Sequence, residues 1–182
     1  LTVDLAVKIA KDFGHASVIT ANRVFANIDD LVEVAQAIEA LLSPDGVFVF
    51  ETGYLLDIVE DSLIDTIYHE HLGYDAVKPL SSFFSRNGLE LINVERTTVK
   101  GGSIRGIVQL AGGPRKVQPA VAELIALEDS HNLDSSAPYQ MIIQQIDLEK
   151  VELTQLIKRL KSEGKSIAGY GASVGCVTLI YH

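Results

Sequence analysis

A chain of 182 residues, 47% of them hydrophobic, is long enough to bury a core and too apolar to stay disordered. Its formal net charge of −9, with no basic stripe carrying interleaved aromatics, excludes nucleic-acid backbone binding as a main task. The single Cys176 excludes an internal disulfide and a paired-cysteine zinc site, and no apolar run is long enough to cross a bilayer. The amphipathic start, with Asp4 and Lys8, is unlike a secretory signal, so the cytoplasm is the expected address.

Residues 3–13 have helical spacing and end at Gly14, a helix-stopping residue. Residues 16–20 form a short β-rich run that leads into a polar turn around Asn22. Asp29 or Asp30 can cap the next helix, which runs to about Leu42 and stops at Ser43-Pro44-Asp45-Gly46, a turn signal. Residues 47–51 read as a strand apolar on both faces, so strand, helix and strand form a βαβ unit inside a layered α/β domain. Residues 54–80 have poor periodicity and predict a loop-rich or short-helical insertion, followed by a helix over 80–86. Residues 89–99 and 104–111 are strand-like and flank Lys100-Gly101-Gly102-Ser103, which predicts an antiparallel hairpin closing the first unit. Gly112-Gly113-Pro114 reads as a boundary between units 1–113 and 114–182. Helices are expected over 118–131 and 138–163, then a strand over 165–169 and a helix opened by Gly169-Tyr170-Gly171-Ala172-Ser173-Val174-Gly175. Both ends look unfinished for an α/β sheet, which predicts the middle of a longer polypeptide or a trimmed piece of one.

Side-chain chemistry concentrates in Asp65-Thr66-Ile67-Tyr68-His69-Glu70-His71-Leu72-Gly73-Tyr74. Imidazoles that titrate near neutral pH, a carboxylate to orient one of them and phenols that donate hydrogen bonds are the parts of a proton-transfer site. A solvated loop with satisfied histidines and a His-x-His metal pair are the other readings, though a metal needs further ligands and no second cluster is obvious. Gly101-Gly102-Ser103-x-Arg105 is either a hairpin turn with a surface arginine or a close backbone approach where Ser103 and Arg105 hold a ligand. Gly169-x-Gly171-x-x-x-Gly175 is either a structural turn or a variant dinucleotide turn. Asn22 and Asn27 flank a strand end, where ligand contact and turn formation explain them equally well.

These motifs, in this order, resemble the S-adenosylmethionine-dependent sugar C-methyltransferases, which act on nucleotide-linked 4-keto deoxysugars. The resemblance extends through essentially the whole chain and includes Ala21-Asn22, the run from Ser43 to Glu51, and Tyr54. It implies a partial Rossmann-like methyltransferase sheet with a closing antiparallel hairpin, then helices and the start of a second Rossmann-like domain. It also implies that a zinc domain and the cofactor's glycine-rich loop belong to a part absent from this chain, and that the chain alone binds S-adenosylmethionine weakly or not at all. In the implied mechanism a base removes the proton at C3, beside the C4 ketone, and the enolate carbon then attacks the sulfonium methyl. His71 would be the base, with Glu70 and Tyr68 holding it or the sugar, which requires the segment to be other than a regular strand. Tyr74, Ser103, Arg105 and Tyr170 would contact the nucleotide sugar, and Asn22, Asn27 and Glu51 the cofactor. Two positions depart from the family pattern: Asn27 stands where a histidine is common, and Gly175 where a lysine is frequent. A nicotinamide-dependent sugar oxidoreductase using the Gly169 turn and a non-catalytic sugar-nucleotide binding module are the competing functions. Oligomeric state is not legible in the sequence.

Overall fold

The computed structural model describes residues 1–171 and 173–181, the side chain of Leu179 apart. Helix α1 (Val3–Phe13) starts where the Thr2 side chain accepts from the Leu5 N–H and ends at Gly14 with φ 89°. Strand β1 (Ala16–Asn22) follows, then helix α2 (Leu31–Leu41), whose first turn is capped by the Asp30 side chain accepting from the Glu33 N–H. Strand β2 (Leu42–Gly53) pairs with β1 in parallel, which gives the expected βαβ unit.

The turn expected at residues 43–46 takes another form. Ala16 pairs with Leu42 and Val18 with Val47, so one β1 residue faces four of β2 and residues 43–46 bulge out of the ladder inside a continuous strand. The Ser43 hydroxyl donates to the Asp45 carboxylate there, at 3.1 Å. Strand β2 also differs from its expected double-sided burial. Phe48, Phe50, Thr52 and Tyr54 are buried, whereas Val47, Val49 and Glu51 on the other face are only half-buried. The period of two is therefore intact, with one covered face.

Helix α3 (Leu55–Glu60), a 3-10 turn at Ile64–Thr66 and helix α4 (Val77–Arg86) occupy the insertion, α4 starting three residues earlier than expected. Strands β3 (Leu89–Thr97) and β4 (Ser103–Leu110) form the antiparallel hairpin, and β4 lies antiparallel to β2. The sheet order is β1-β2-β4-β3, a mixed sheet. Helix α5 (Pro119–Ser130) packs on β3 and α4, and α6 (Ala137–Ser162) touches α3.

One core holds these pieces. Phe25, Phe48, Phe50 and Phe84 stack or tilt on one another at centroid distances of 5.3–6.4 Å, joined by Ile38 from α2, Val77 from α4 and Val121 from α5. Each buried ring of that kind contributes on the order of 1.5–3 kcal/mol by leaving water. Helix α1 sits outside this cluster, pressing Ala6 against Ala37 and Leu41 of α2.

The strand expected over 165–169 is absent: residues 165–171 have no regular structure. A lone five-residue strand with no neighbour leaves its backbone N–H and C=O groups unpaired, and none of the four strands borders it. Helix α7 (Val174–Tyr181) comes next and packs on the Ile64–Thr66 turn. Ala172 of the Gly169 motif lies outside the described residues.

Candidate active site

Strands β1 and β2 run in parallel and end together at Asn22 and Gly53, and β4 begins opposite Gly53 at Ser103. A cavity of about 480 Å³ opens at this carboxyl end, where open α/β sheets place their ligands. Its lining comes from residues just past β1 (Arg23, Asn27), the end of β2 (Thr52), the segment from Asp65 to Asp75, the hairpin turn (Lys100, Gly102) and Ser173–Gly175.

The Tyr-His-Glu-His segment is a turn, with the His71 N–H donating to the Tyr68 carbonyl at 3.0 Å. That geometry brings Tyr68, Glu70 and His71 to the one cavity, which a regular strand would prevent. Its position is pinned from the 3-10 turn Phe25–Asn27 just past β1 by the Asn27 side-chain amide, which donates to the Glu70 carbonyl at 2.8 Å, and by the Leu72 N–H, which donates to the Ala26 carbonyl at 2.6 Å. His71 is half-buried. Its Nδ1 lies 2.8 Å from the Thr66 carbonyl oxygen and its Nε2 lies 3.0 Å from the Tyr68 hydroxyl. A carbonyl only accepts, so Nδ1 carries the proton, and in the neutral ring Nε2 presents its lone pair and accepts from Tyr68. The rings of Tyr68 and His71 overlap at 4.3 Å, and Tyr74 meets His71 edge-on at 6.1 Å. Burial raises the Tyr74 phenol above its ordinary value, with Tyr68 adding to it.

Beneath this pair, the Thr52 hydroxyl donates to Asp75 Oδ2 at 2.6 Å. Burial lifts the Asp75 carboxyl above the usual carboxylate range, against the Thr52 hydrogen bond and the nearby His71. His69 is exposed, and no group of three metal-binding side chains comes together among the described residues.

The remaining residues singled out in the sequence divide. Ser103 is fully buried and donates to the Val99 carbonyl at 2.9 Å. Arg105 lies outside the cavity lining, where it binds Glu51 Oε2 at 2.8 Å, so these two residues satisfy each other. Asn22 pairs with Glu51 along the ladder and is exposed, and Tyr170 is fully exposed. Arg23, Thr52, Thr66, Asp75 and Lys100 were not legible as site residues. The only local signal was that Arg23 and Thr52 fall at the ends of strands.

The close fit of the hairpin turn depends on Gly102. Its φ is 142°, and a Cβ there would lie 2.2 Å from the Asp57 side chain. Asp57 in turn accepts from Arg96 Nε at 2.8 Å, which holds α3 against β3.

A mixed sheet with a loop-rich segment and a cavity over the strand ends is an α/β domain laid out for ligand binding at that end. Residues 98–182 match the family described as C-methyltransferase C-terminal domain. The chain is 33% identical over 171 residues to the C-methyltransferase NovU of Streptomyces niveus, an alignment covering 94% of this chain and 41% of that protein. Parts of two solved structures are similar: a SAM-dependent methyltransferase from Anabaena variabilis, at 15% identity and TM-score 0.46 over 60% of this chain and 55% of that one. The other is M1.HpyAVI in complex with SAM, at 14% identity and TM-score 0.37 over 60% and 53%. The chain is thus similar to a C-methyltransferase and to a C-methyltransferase C-terminal domain, and it spans about two fifths of the curated relative's length. No helix among the described residues is long and apolar enough to cross a membrane.

Proposed function

We propose that this chain forms the substrate-facing side of a C-methyltransferase that acts on a nucleotide-linked keto deoxysugar through an enolate. The single observation that carries the reading is the Thr66–His71–Tyr68 arrangement inside the cavity. Thr66 fixes the tautomer, so the Nε2 lone pair is the basic site. The Tyr68 hydroxyl gives up its place at Nε2 as the carbon beside the ketone approaches, and once Nε2 has taken the proton the new N–H can donate to the Tyr68 oxygen. Each protonation state of His71 has a partner without the ring turning over. Asn27 and Ala26, in the 3-10 turn just past β1, keep the segment in place, which positions the base against the carbon.

The donor set fits the methyl donor: Asp65, Glu70 and Asp75 line the cavity, and carboxylates favour a sulfonium. When bound, S-adenosylmethionine supplies the electrophilic methyl group. Asn27, which lines the cavity, is proposed to contact it, and Tyr74, also in the lining, the sugar. Asn22 and Glu51 for the cofactor, and Ser103, Arg105 and Tyr170 for the sugar, keep that proposal from the family resemblance alone, since none of them lines the cavity.

The test is His71→Asn in the intact protein. Loss of methyl transfer by about 100-fold or more, with the folded structure retained, is the expected result for a general base. Turnover at the wild-type rate would sink the assignment of His71.

A further inference from the structure

Arg23 occupies an unusual place. Its φ of 55° puts a non-glycine residue in the left-handed region, a conformation that costs on the order of 1 kcal/mol or more without glycine. Two contacts hold it there. Its backbone N–H donates to the Glu51 carbonyl at 2.6 Å, and Nη1 donates to Ser103 Oγ at 2.8 Å. The Ser103 proton is already committed to the Val99 carbonyl, so its oxygen is free to accept from the guanidinium. A buried serine thus tethers Arg23 beside the cavity. A guanidinium has five N–H donors, and this contact uses one. None of the ion pairs among the described residues involves Arg23.

Lys100 follows Val99 in the same hairpin turn. It also lines the cavity, has φ 50°, and takes part in none of those ion pairs. Two uncommitted cations in one cavity stand out in a chain of net charge −9. The cavity carboxylates Asp65, Glu70 and Asp75 all come from the segment 65–75, so an anion would be confined to the side of Arg23 and Lys100.

We infer that Arg23, tethered by Ser103 and assisted by Lys100, is the anion subsite that takes the diphosphate of the substrate. The inference rests on the nucleotide-sugar reading above and assigns where its charged group is held. A diphosphate offers enough oxygens and charge for both cations, and the planar fork of arginine matches phosphate oxygens in pairs. A single carboxylate, such as that of the methyl donor, carries less charge and would be held more weakly by the pair.

The experiment titrates the intact protein with inorganic pyrophosphate and, separately, with S-adenosylhomocysteine. Arg23→Met should weaken pyrophosphate binding by roughly tenfold or more, as expected for a charge-assisted pair, and leave S-adenosylhomocysteine binding unchanged. Arg86→Met removes the same charge at the exposed end of α4, outside the cavity, and should leave pyrophosphate binding within about twofold. Should Arg23→Met fold poorly, Ser103→Ala gives the milder loss expected from releasing the guanidinium, read with Lys100→Gln. Wild-type protein that fails to bind pyrophosphate overturns the inference. So does an Arg23→Met variant that binds it normally, or one that loses only S-adenosylhomocysteine. Pyrophosphate binding is independent of methyl transfer, so failure of the enolate reading would show separately, as absent turnover with the subsite intact.

Discussion

The Thr66 carbonyl oxygen lies 2.8 Å from His71 Nδ1, and this one contact decides which ring nitrogen can act as a base. Thr66 is itself held by its own hydroxyl, which donates to the Leu63 carbonyl at 2.8 Å at the end of a short 3-10 turn. Side-chain chemistry at position 71 is therefore set by backbone geometry five residues earlier.

Tyr68→Phe removes the hydroxyl that faces Nε2 at 3.0 Å and leaves the 4.3 Å ring overlap in place. The imidazolium then loses its second acceptor. Methyl transfer should fall about tenfold, corresponding to one hydrogen bond to a charged group. Steady-state rates at saturating substrate check it. An unchanged rate would mean that Tyr68 does not serve the base.

Asp75→Asn tests the buried carboxyl. Because burial raises its folded value above the unfolded one, its stabilising contribution is complete below the ordinary carboxylate value of about 3.9 and is lost as pH rises through the folded value. At neutral pH the ionised group therefore costs stability. The asparagine oxygen can still accept from Thr52, so the variant should melt higher than wild type at pH 7. That advantage should shrink as pH falls towards 4. Thermal melts at both pH values decide it, and a variant that melts lower at pH 7 would refute the account.

Gly175→Lys restores the residue frequent in the family. A Cβ at position 175 would lie 2.4 Å from the Asp65 carbonyl oxygen, so α7 cannot stay seated on the Ile64–Thr66 turn. The bond from the Thr178 hydroxyl to the Ile67 carbonyl should break with it. Amide exchange in residues 174–181 should speed up by about tenfold or more while the strands keep their protection. Unchanged exchange would show that the turn yields instead.

Much of the frame was legible because local signals agreed. The Asp30 cap, the helical spacing of α2 and the apolar run of β2 together read as a βαβ unit, and the paired strands around Gly101-Gly102 read as a hairpin. Where a local signal stood alone, it misled. Ser43-Pro44-Asp45-Gly46 does turn the chain, yet the ladder resumes past it, so a stop signal became a bulge. The run 165–169 has strand-like composition but no partner strand to complete it. The site was legible where its residues are neighbours in sequence, as Tyr68 and His71 are. Arg23 and Ser103 are 80 residues apart, and Arg105, so close to Ser103 along the chain, is occupied by Glu51. Nothing along the chain announces which arginine reaches the cavity.

Glu128 is a buried carboxylate on α5 that accepts from the Tyr54 hydroxyl at 3.0 Å and from the backbone N–H groups of Val77 and Lys78 at 2.6 and 2.9 Å. These last two are orphan donors at the start of α4, which has no side-chain cap of its own. The helix after Gly112-Gly113-Pro114 thus supplies the stopper for a helix before it. Shortening the gene at that glycine pair, the natural choice for a minimal expression piece, would strand three donors at once, two of them buried. The product would be expected to aggregate, whereas a piece cut beyond Ser130 would keep the lock closed.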